Sequence, residues 1–252
     1  MLTLERHQRI LALLEREGSA RVTDLAERFD VTEETIRRDL QKLAATDQVR
    51  RSHGGAIFND RSTSESPYWW REIANEEEKS RIAAEAIRRI APGDRVILDA
   101  STTAWHMAKR LPPQPLTVIT HSVQVVQALA KTDAIEVIGL GGALARSSMS
   151  FVGPAAEQQL EGYHADKLFM SCRGIDLHFG LSDASEAQAR LRQMMLNQAG
   201  RRTLLIDHSK FGVKALARIA GIDAFDEVIT DAGVSPETLA ALEALSVEVT
   251  VV

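Results

Sequence analysis

The sequence predicts two units of different class: a small helical unit closed by a β-wing over residues 1–58, and a larger α/β unit with a mostly parallel sheet over 76–252, joined by a linker at 59–75. Three observations carry this division. Apolar residues recur at helical spacing in three short segments before residue 44. The run NDRSTSESP, Asn59 to Pro67, is polar and closed by a proline, the composition of an exposed connection. Beyond it, short β-rich runs alternate with helical patterns, as parallel strands joined by crossover helices do.

In the first unit Leu4, Ile10, Leu11, Leu13 and Leu14 recur at roughly helical spacing up to Glu17, and Gly18 supplies a stop. Val22, Leu25, Ala26 and Phe29 form a second stripe, and Phe29 to Val31 leaves room only for a tight turn. A third helix begins where Thr32 caps and where Glu33 and Glu34 complement the helix dipole. After Asp47, VRRSHGGAIF from Val49 to Phe58 reads as two extended pieces about a Gly54–Gly55 turn. In the larger unit a helical stretch from Asn75 to Ile90 leads into strands expected at 95–100, 116–120, 135–140, 167–172, 203–207 and 226–231, with 247–252 closing the series.

At 252 residues and 44% hydrophobic content the chain can bury one large core and a small satellite. A formal net charge of −5 excludes a uniformly basic nucleic-acid coat, so contact with a polyanion has to come from a locally basic element. The single cysteine, Cys172, has no intramolecular disulfide partner, and its place at the end of an apolar run marks a core residue, not a nucleophile. The N-terminus lacks an apolar run of signal-peptide type, and no apolar run approaches the roughly 20 residues that span a bilayer. The expectation is a cytoplasmic protein without a membrane segment.

On the third helix Ile36, Leu40 and Leu43 fall on one side of the helical wheel, and Glu34, Arg37, Arg38 and Gln41 on the other. One face packs and the other is free to read. In a helix-turn-helix the second helix of the pair enters the major groove, where arginine bonds guanine bidentately and glutamine bonds adenine. Arg37, Arg38 and Gln41 have that chemistry. Across residues 36–55 five bases, Arg37, Arg38, Lys42, Arg50 and Arg51, stand against two acids, Asp39 and Asp47, although the whole chain is acidic. Arg37 and Arg38 alone also fit a solvated helix face. Two short helices, a tight turn, an arginine-bearing third segment and a basic wing together favour a winged helix-turn-helix for double-stranded DNA.

In the large unit Asp99-Ala100-Ser101-Thr102-Thr103 follows the first strand and leads into a helical stretch from Ala104 to Arg110. Helix-start N–H groups and the hydroxyls of Ser101, Thr102 and Thr103 can donate to phosphate oxygens, beyond the carboxyl ends of the strands where open α/β sheets bind ligands. An ordinary N-cap fits the same residues. The seven histidines are scattered, with no two within one helical turn. There is no G-x-S-x-G elbow and no Walker G-K pair, and GLGGAL at 139–144 lacks the third glycine of a dinucleotide fingerprint. No catalytic residue, metal ligand or cofactor is assigned. Tyr68-Trp69-Trp70 reads as an anchor of the linker to the large unit.

HQRILALLEREGSARVTDLAERFDVTEETIRRDLQKL, followed by HGGA at 53–56, resembles the signature of the DeoR family of bacterial sugar-metabolism regulators. The resemblance places TIRRDL, Thr35 to Leu40, in the recognition helix, with Thr35, Arg37 and Arg38 at the DNA and Arg50, Arg51 and His53 near the backbone or minor groove. Residues 76–252 resemble the family's effector domain, which is similar to the sugar-phosphate isomerase and deaminase fold. EEEKSRIA at 76–83, DASTT at 99–103, GGAL at 141–144, GID at 174–176 and DHSKFG at 207–212 carry that match. It implies effector contacts at Asp99, Ser101, Thr102, Thr103, Gly141, Gly142, Asp176 and Lys210. DASTT departs from the family's D-x-G-T-T by a serine for glycine, which restricts backbone approach to a phosphate. Gly141 and Gly142 also read as a turn, Asp176 as a loop cap and Lys210 as an exposed lysine.

The function expected is a sequence-specific repressor of a sugar catabolic operon, acting as a homo-oligomer, dimer or tetramer, and controlled by a phosphorylated sugar. LDASTTAWHMAKRLP and SCRGID look closest to family members linked to deoxysugars such as fucose, which suggests a deoxysugar phosphate. The alternative is a sugar-phosphate isomerase or deaminase with a DNA-binding appendage. Against it, the D-G-A-D cluster and K-G-G-G-rich stretch of the related isomerases are not found, so a phosphate anchor remains without a general base. In a third reading the large unit only oligomerises.

Overall fold

The structure, a computed structural model, describes residues 3–44, 49–52, 54–58, 68–245 and 247–252. The chain divides into two compact units, 1–66 and 67–252. Asp47, His53 and 59–67 of the expected linker lie outside the described residues.

The first unit runs α1 (Thr3–Glu17), β1 (Ser19–Arg21), α2 (Val22–Phe29), α3 (Glu33–Ala44), β2 (Val49–Ser52) and β3 (Gly55–Phe58). Asp30, at φ 52°, ends α2, and the N–H groups of Asp30 and Val31 return to the carbonyls of Glu27 and Ala26. Thr32 caps α3 as expected, its Oγ1 accepting from the Thr35 N–H at 3.3 Å. Ile10, Leu11, Leu14, Leu25, Ile36 and Leu40 are buried together as the core. The wing is a three-stranded antiparallel sheet in the order β1-β3-β2. Three-residue β1 carries no alternation that would announce it. Ser52 pairs with Gly55, so Gly55 belongs to β3 and not to the Gly54–Gly55 turn expected. The two glycines answer different demands. Gly54 sits at φ +85°, whereas a Cβ on Gly55 would stand 2.4 Å from the Ala20 carbonyl oxygen on β1.

The second unit begins with α4 (Tyr68–Ile73), in the latter part of the expected linker, and α5 (Glu76–Ile87). It continues through β4 (Arg95–Leu98), α6 (Thr102–Ala108), β5 (Leu116–Thr120), α7 (Val123–Leu129), β6 (Ile135–Gly139), β7 (Ala143–Ala145), β8 (Ser150–Val152), α8 (Pro154–Glu161) and β9 (Ala165–Met170). Then come β10 (Gly174–Asp176), β11 (Gly180–Asp183), α9 (Glu186–Asn197), β12 (Ala199–Leu205), a 3-10 turn (His208–Lys210), β13 (Ala217–Ala220), β14 (Glu227–Thr230), α10 (Pro236–Glu243) and β15 (Glu248–Val251).

Seven strands, each within or beside a run expected from sequence, form one sheet in the order β15-β14-β12-β9-β4-β5-β6, and every pairing is parallel. Both faces are covered, as a parallel sheet requires. Val96, Leu98, Val118, Phe169, Leu205 and Ile229 pack under α5, α6 and α7, while Ile97, Ile119, Leu168, Met170 and Val228 face the layer that holds α8 and α9. From β4 the chain proceeds outward to β5 and β6; from β9 it proceeds the other way to β12, β14 and β15. Open sheets of this kind bind ligands in the crevice beyond the carboxyl ends of the strands at such a reversal, which here are β4 and β9. A three-stranded antiparallel sheet, β10-β11-β13, and the β7–β8 hairpin are additions the sequence did not announce.

Replacing Gly55 by alanine forces β1 and β3 apart and should destabilise the first unit by about 1–3 kcal/mol. Urea unfolding followed by amide exchange in α1–α3 reads this; a change under about 0.5 kcal/mol would show that the close approach is unimportant.

Candidate functional site

On α3 the side chains of Arg37, Arg38, Gln41 and Lys42 are exposed, while Ile36, Asp39, Leu40 and Leu43 are buried. Thr35 is half-buried, its hydroxyl 2.9 Å from that of Thr32. Arg37 Nη2 lies 2.5 Å from Glu33 Oε2, and Arg38 Nε lies 3.3 Å from Glu34 Oε1. Exposed pairs at this spacing are worth about 0.3–0.5 kcal/mol, so either arginine is released to a better partner at little cost. Asp39, counted from sequence against the basic face, turns inward instead. Its carboxylate takes Arg6 Nε at 2.6 Å and His7 Nε2 at 2.7 Å, pinning α1 to α3. Burial alone would raise its carboxyl, but the bonds from Arg6 and His7 hold it below the ordinary 3.8. Arg50 and Arg51 stand on β2 opposite Ile57 and Ala56 of β3. No helix among the described residues is long and apolar enough to cross a membrane.

At the crevice of the large unit Asp99 is fully buried at the end of β4. Its Oδ1 accepts from the Ser101 N–H at 3.0 Å, and its Oδ2 accepts from the Ser171 N–H at 3.2 Å and from Arg192 Nε at 3.0 Å. Arg192, on α9, places Nη1 2.5 Å from Asp183 Oδ2 at the end of β11. One carboxylate thus joins the loops on both banks of the crevice to α9. Both of its oxygens accept from donors inside the protein. Ser101 is the N-cap of α6, its Oγ accepting from the Ala104 N–H at 3.1 Å, so the cap explanation of this serine holds. Thr102 and Thr103 occupy the first turn of α6, where N–H groups have no partner within the helix. Ser101, Thr102 and Thr103 are 6%, 4% and 3% exposed, a more enclosed loop than the sequence suggests.

Lys210 lies on the 3-10 turn after β12. That turn follows the strand that pairs with β9 in the sheet. Cys172 is a core residue as expected: burial pushes its thiol up to about 12, and its Sγ–H donates to the Gly174 carbonyl. Asp176 caps the β10–β11 turn, accepting from the N–H groups of His178 and Phe179 at 3.0 and 2.8 Å. Gly141 donates its N–H to Gln159 Oε1, and Gly142, at φ 138°, would drive a Cβ to 2.6 Å from the Val152 carbonyl oxygen. Gly141 and Gly142 follow β6, the edge strand two places from β4, and Gly141 lines a cavity with Thr120, His121 and Phe151.

Arg192, Asp183, Gln188 and His121 went unnoticed in the sequence. His121, after β5, is wholly enclosed, and burial lowers it to about 4. Its Nε2 lies 3.3 Å from Gln188 Oε1, and Gln188 Nε2 donates to the hydroxyls of Ser148 and Ser150. A signal was present: Gln188 and Arg192 are polar residues four apart on the face of α9 that otherwise buries Ala189, Leu191, Met195 and Leu196.

Comparison with known proteins covers both units. The DeoR-like helix-turn-helix domain matches residues 6–62, and the DeoR C terminal sensor domain matches residues 74–232. The HTH-type transcriptional regulator YulB of Bacillus subtilis (strain 168), itself uncharacterized, is 46% identical over 252 residues, covering 100% of this chain and 98% of that protein. A protein of Escherichia coli O157:H7, provisionally named an aga operon transcriptional repressor, is 35% identical, covering 99% and 94%. The L-fucose operon activator of Escherichia coli (strain K12) is 36% identical, covering 90% and 94%. Among solved structures, ribose 5-phosphate isomerase A of Methanocaldococcus jannaschii overlaps 55% of each chain at a TM-score of 0.41 and 16% identity.

Two outcomes follow from the buried acids. Because the Asp39 carboxyl is lowered in the folded state, its contribution to stability is complete above its ordinary 3.8 and is lost as pH falls through the folded value. Asp39→Asn should therefore destabilise the first unit at neutral pH and flatten the acid limb of its urea midpoint; an unchanged acid limb would contradict the assignment. Arg192→Leu leaves two buried carboxylates without their cation and should cost about 3–5 kcal/mol in the second unit by calorimetry. A loss below about 1 kcal/mol would mean that solvent already screens the cluster.

Proposed function

The chain belongs to the DeoR family of transcriptional regulators, and from that premise we propose that it grips operator DNA with α3 and the wing and adjusts the grip when a phosphorylated sugar enters the crevice between β4 and β9. Residues 1–58 bind DNA, 59–75 link, and 76–252 sense the effector and oligomerise. The observation that carries the reading is the face of α3: four polar or basic side chains, Arg37, Arg38, Gln41 and Lys42, are exposed, while Asp39 is buried on Arg6. Thr35, Arg37, Arg38 and Gln41 read base edges, and Lys42, Arg50, Arg51 and His53 hold the phosphate backbone.

In the crevice Thr102, Thr103 and Lys210 meet the phosphate, Ser101 and Asp99 set the loop, and Gly141, Gly142 and Asp176 lie at the periphery. Repression of a sugar catabolic operon is supported by the name of the aga operon relative, and a deoxysugar phosphate by that of the fucose operon relative. A homo-oligomer in the cytoplasm, dimer or tetramer, presents paired α3 helices to half-sites about 34 Å apart, so a small rearrangement between them changes the fit.

Fluorescence anisotropy with the DNA upstream of the protein's own gene, across salt and a panel of sugar phosphates, tests both halves. Arg37→Ala and Arg38→Ala should each cost about 1–3 kcal/mol of operator affinity, and Lys42→Ala should lower the salt slope by about one. Wild-type affinity in all three variants would return this face to ordinary solvated charge.

A further inference from the structure

The chain leaving the first unit enters the second at α4, and α4 with the turn after it is held from three sides. Tyr68, buried, sets its ring edge-on to Trp105 of α6, the centroids 6.4 Å apart, in the helix that opens at Thr102. Lys79 of α5, also buried, donates from Nζ to the main-chain oxygens of Arg71 and Ala74. Asn75, at φ 51°, donates from Nδ2 to Asp207 Oδ1 and to Ser209 Oγ, both at 3.0 Å. The amide has one hydrogen for each acceptor.

Asparagine tolerates the left-handed region because its short side chain usually bonds the local backbone. Here both donors instead reach a turn 132 and 134 residues away in sequence, the turn that carries Lys210. Asp207 also accepts from the Ser209 N–H at 3.1 Å and from the Ser209 hydroxyl, so the turn and the Asn75 amide share one carboxylate oxygen. Burial alone would raise the Asp207 carboxyl; the charges of Lys210 and Lys79 and the two bonds from Ser209 together outweigh it and hold it below its ordinary value. Lys210 closes the same turn, its N–H donating to the Asp207 carbonyl at 3.1 Å, so an anion that draws Lys210 away disturbs the turn that Asn75 holds. The other end of α4, through Tyr68, rests on the helix that follows the Asp99 loop.

We infer that residues 68–75 form a strap that rests on α6 and on the 3-10 turn after β12 and passes their state to the linker, with Asn75 as its latch. The inference rests on the crevice being the effector site. A strap of this kind needs no displacement of the sheet: the two-state element is the short helix, and the ligand biases it through Lys210 and Asp207.

The test uses the full chain with inorganic phosphate as the probe, at matched ionic strength. Asn75→Ala removes the latch; Asn75→Gly removes it while keeping the left-handed backbone free of strain. In both, amide exchange over 68–74 should quicken roughly tenfold. The phosphate-induced change in operator affinity should fall below about twofold from a wild-type response within the usual 5–150-fold range. Glu77→Ala, on an exposed position of α5, should match wild type in both measurements. Unchanged exchange in both variants, or quickened exchange with the phosphate response intact, overturns the strap alone. A wild type that binds no operator, or whose binding ignores phosphate, overturns the function reading, and with it the signal the strap would carry.

Discussion

Arg192 reaches from α9 between Asp99 and Asp183, and the three side chains are 4%, 0% and 6% exposed. Each charge so placed costs several kcal/mol to desolvate, and mutual attraction repays that only where geometry and further hydrogen bonds are good. Here they are: Asp99 also accepts from the amides of Ser101 and Ser171, which stand on opposite banks of the strand-order reversal. The loop before α6, the loop after β9, the end of β11 and α9 therefore have one common arrangement. An apolar core would stabilise the sheet equally well, but it would not set the position of two loops against each other.

The first unit uses the same device on a smaller scale. Asp39 stands in the middle of the helix that carries Arg37 and Arg38, yet it serves Arg6 and His7 on α1. The acid fixes the angle at which α3 leaves its partner helix, and its burial removes a negative charge from the outward face. Charge that counts against DNA binding in the linear sequence thus supports it in the fold. In both units an aspartate is buried against an arginine from a different element, Asp39 on Arg6 and Asp99 on Arg192.

The seven main strands were legible because each is a compact apolar run flanked by turn residues, and a parallel sheet buried on both faces needs such runs. β1, β7, β8, β10, β11 and β13 were not, because three or four residues such as Ser19–Arg21 or Gly174–Asp176 show no period, and their pairing depends on partners far along the chain. Gly55 was recognised as a special position but for the wrong demand: close approach to β1 is a tertiary fact, whereas a turn is a local one. The DASTT motif marks the loop after β4, while the bonding of Asp99 there depends on Arg192, 93 residues away. Asn75 looked like a helix boundary, and its bonds to Asp207 and Ser209 have no trace in local pattern.

On the proposed function, an effector's phosphate is met between β4 and β9. A crystal structure of the full chain soaked with a phosphorylated sugar tests it most directly. Phosphate density is expected against Thr102 and Thr103 within reach of Lys210, with the bonds from Arg192 to Asp99 and Asp183 intact. Density beside Gly141 and Gly142 at the β6 edge, or a sugar bound with its phosphate turned away from the α6 start, would contradict it.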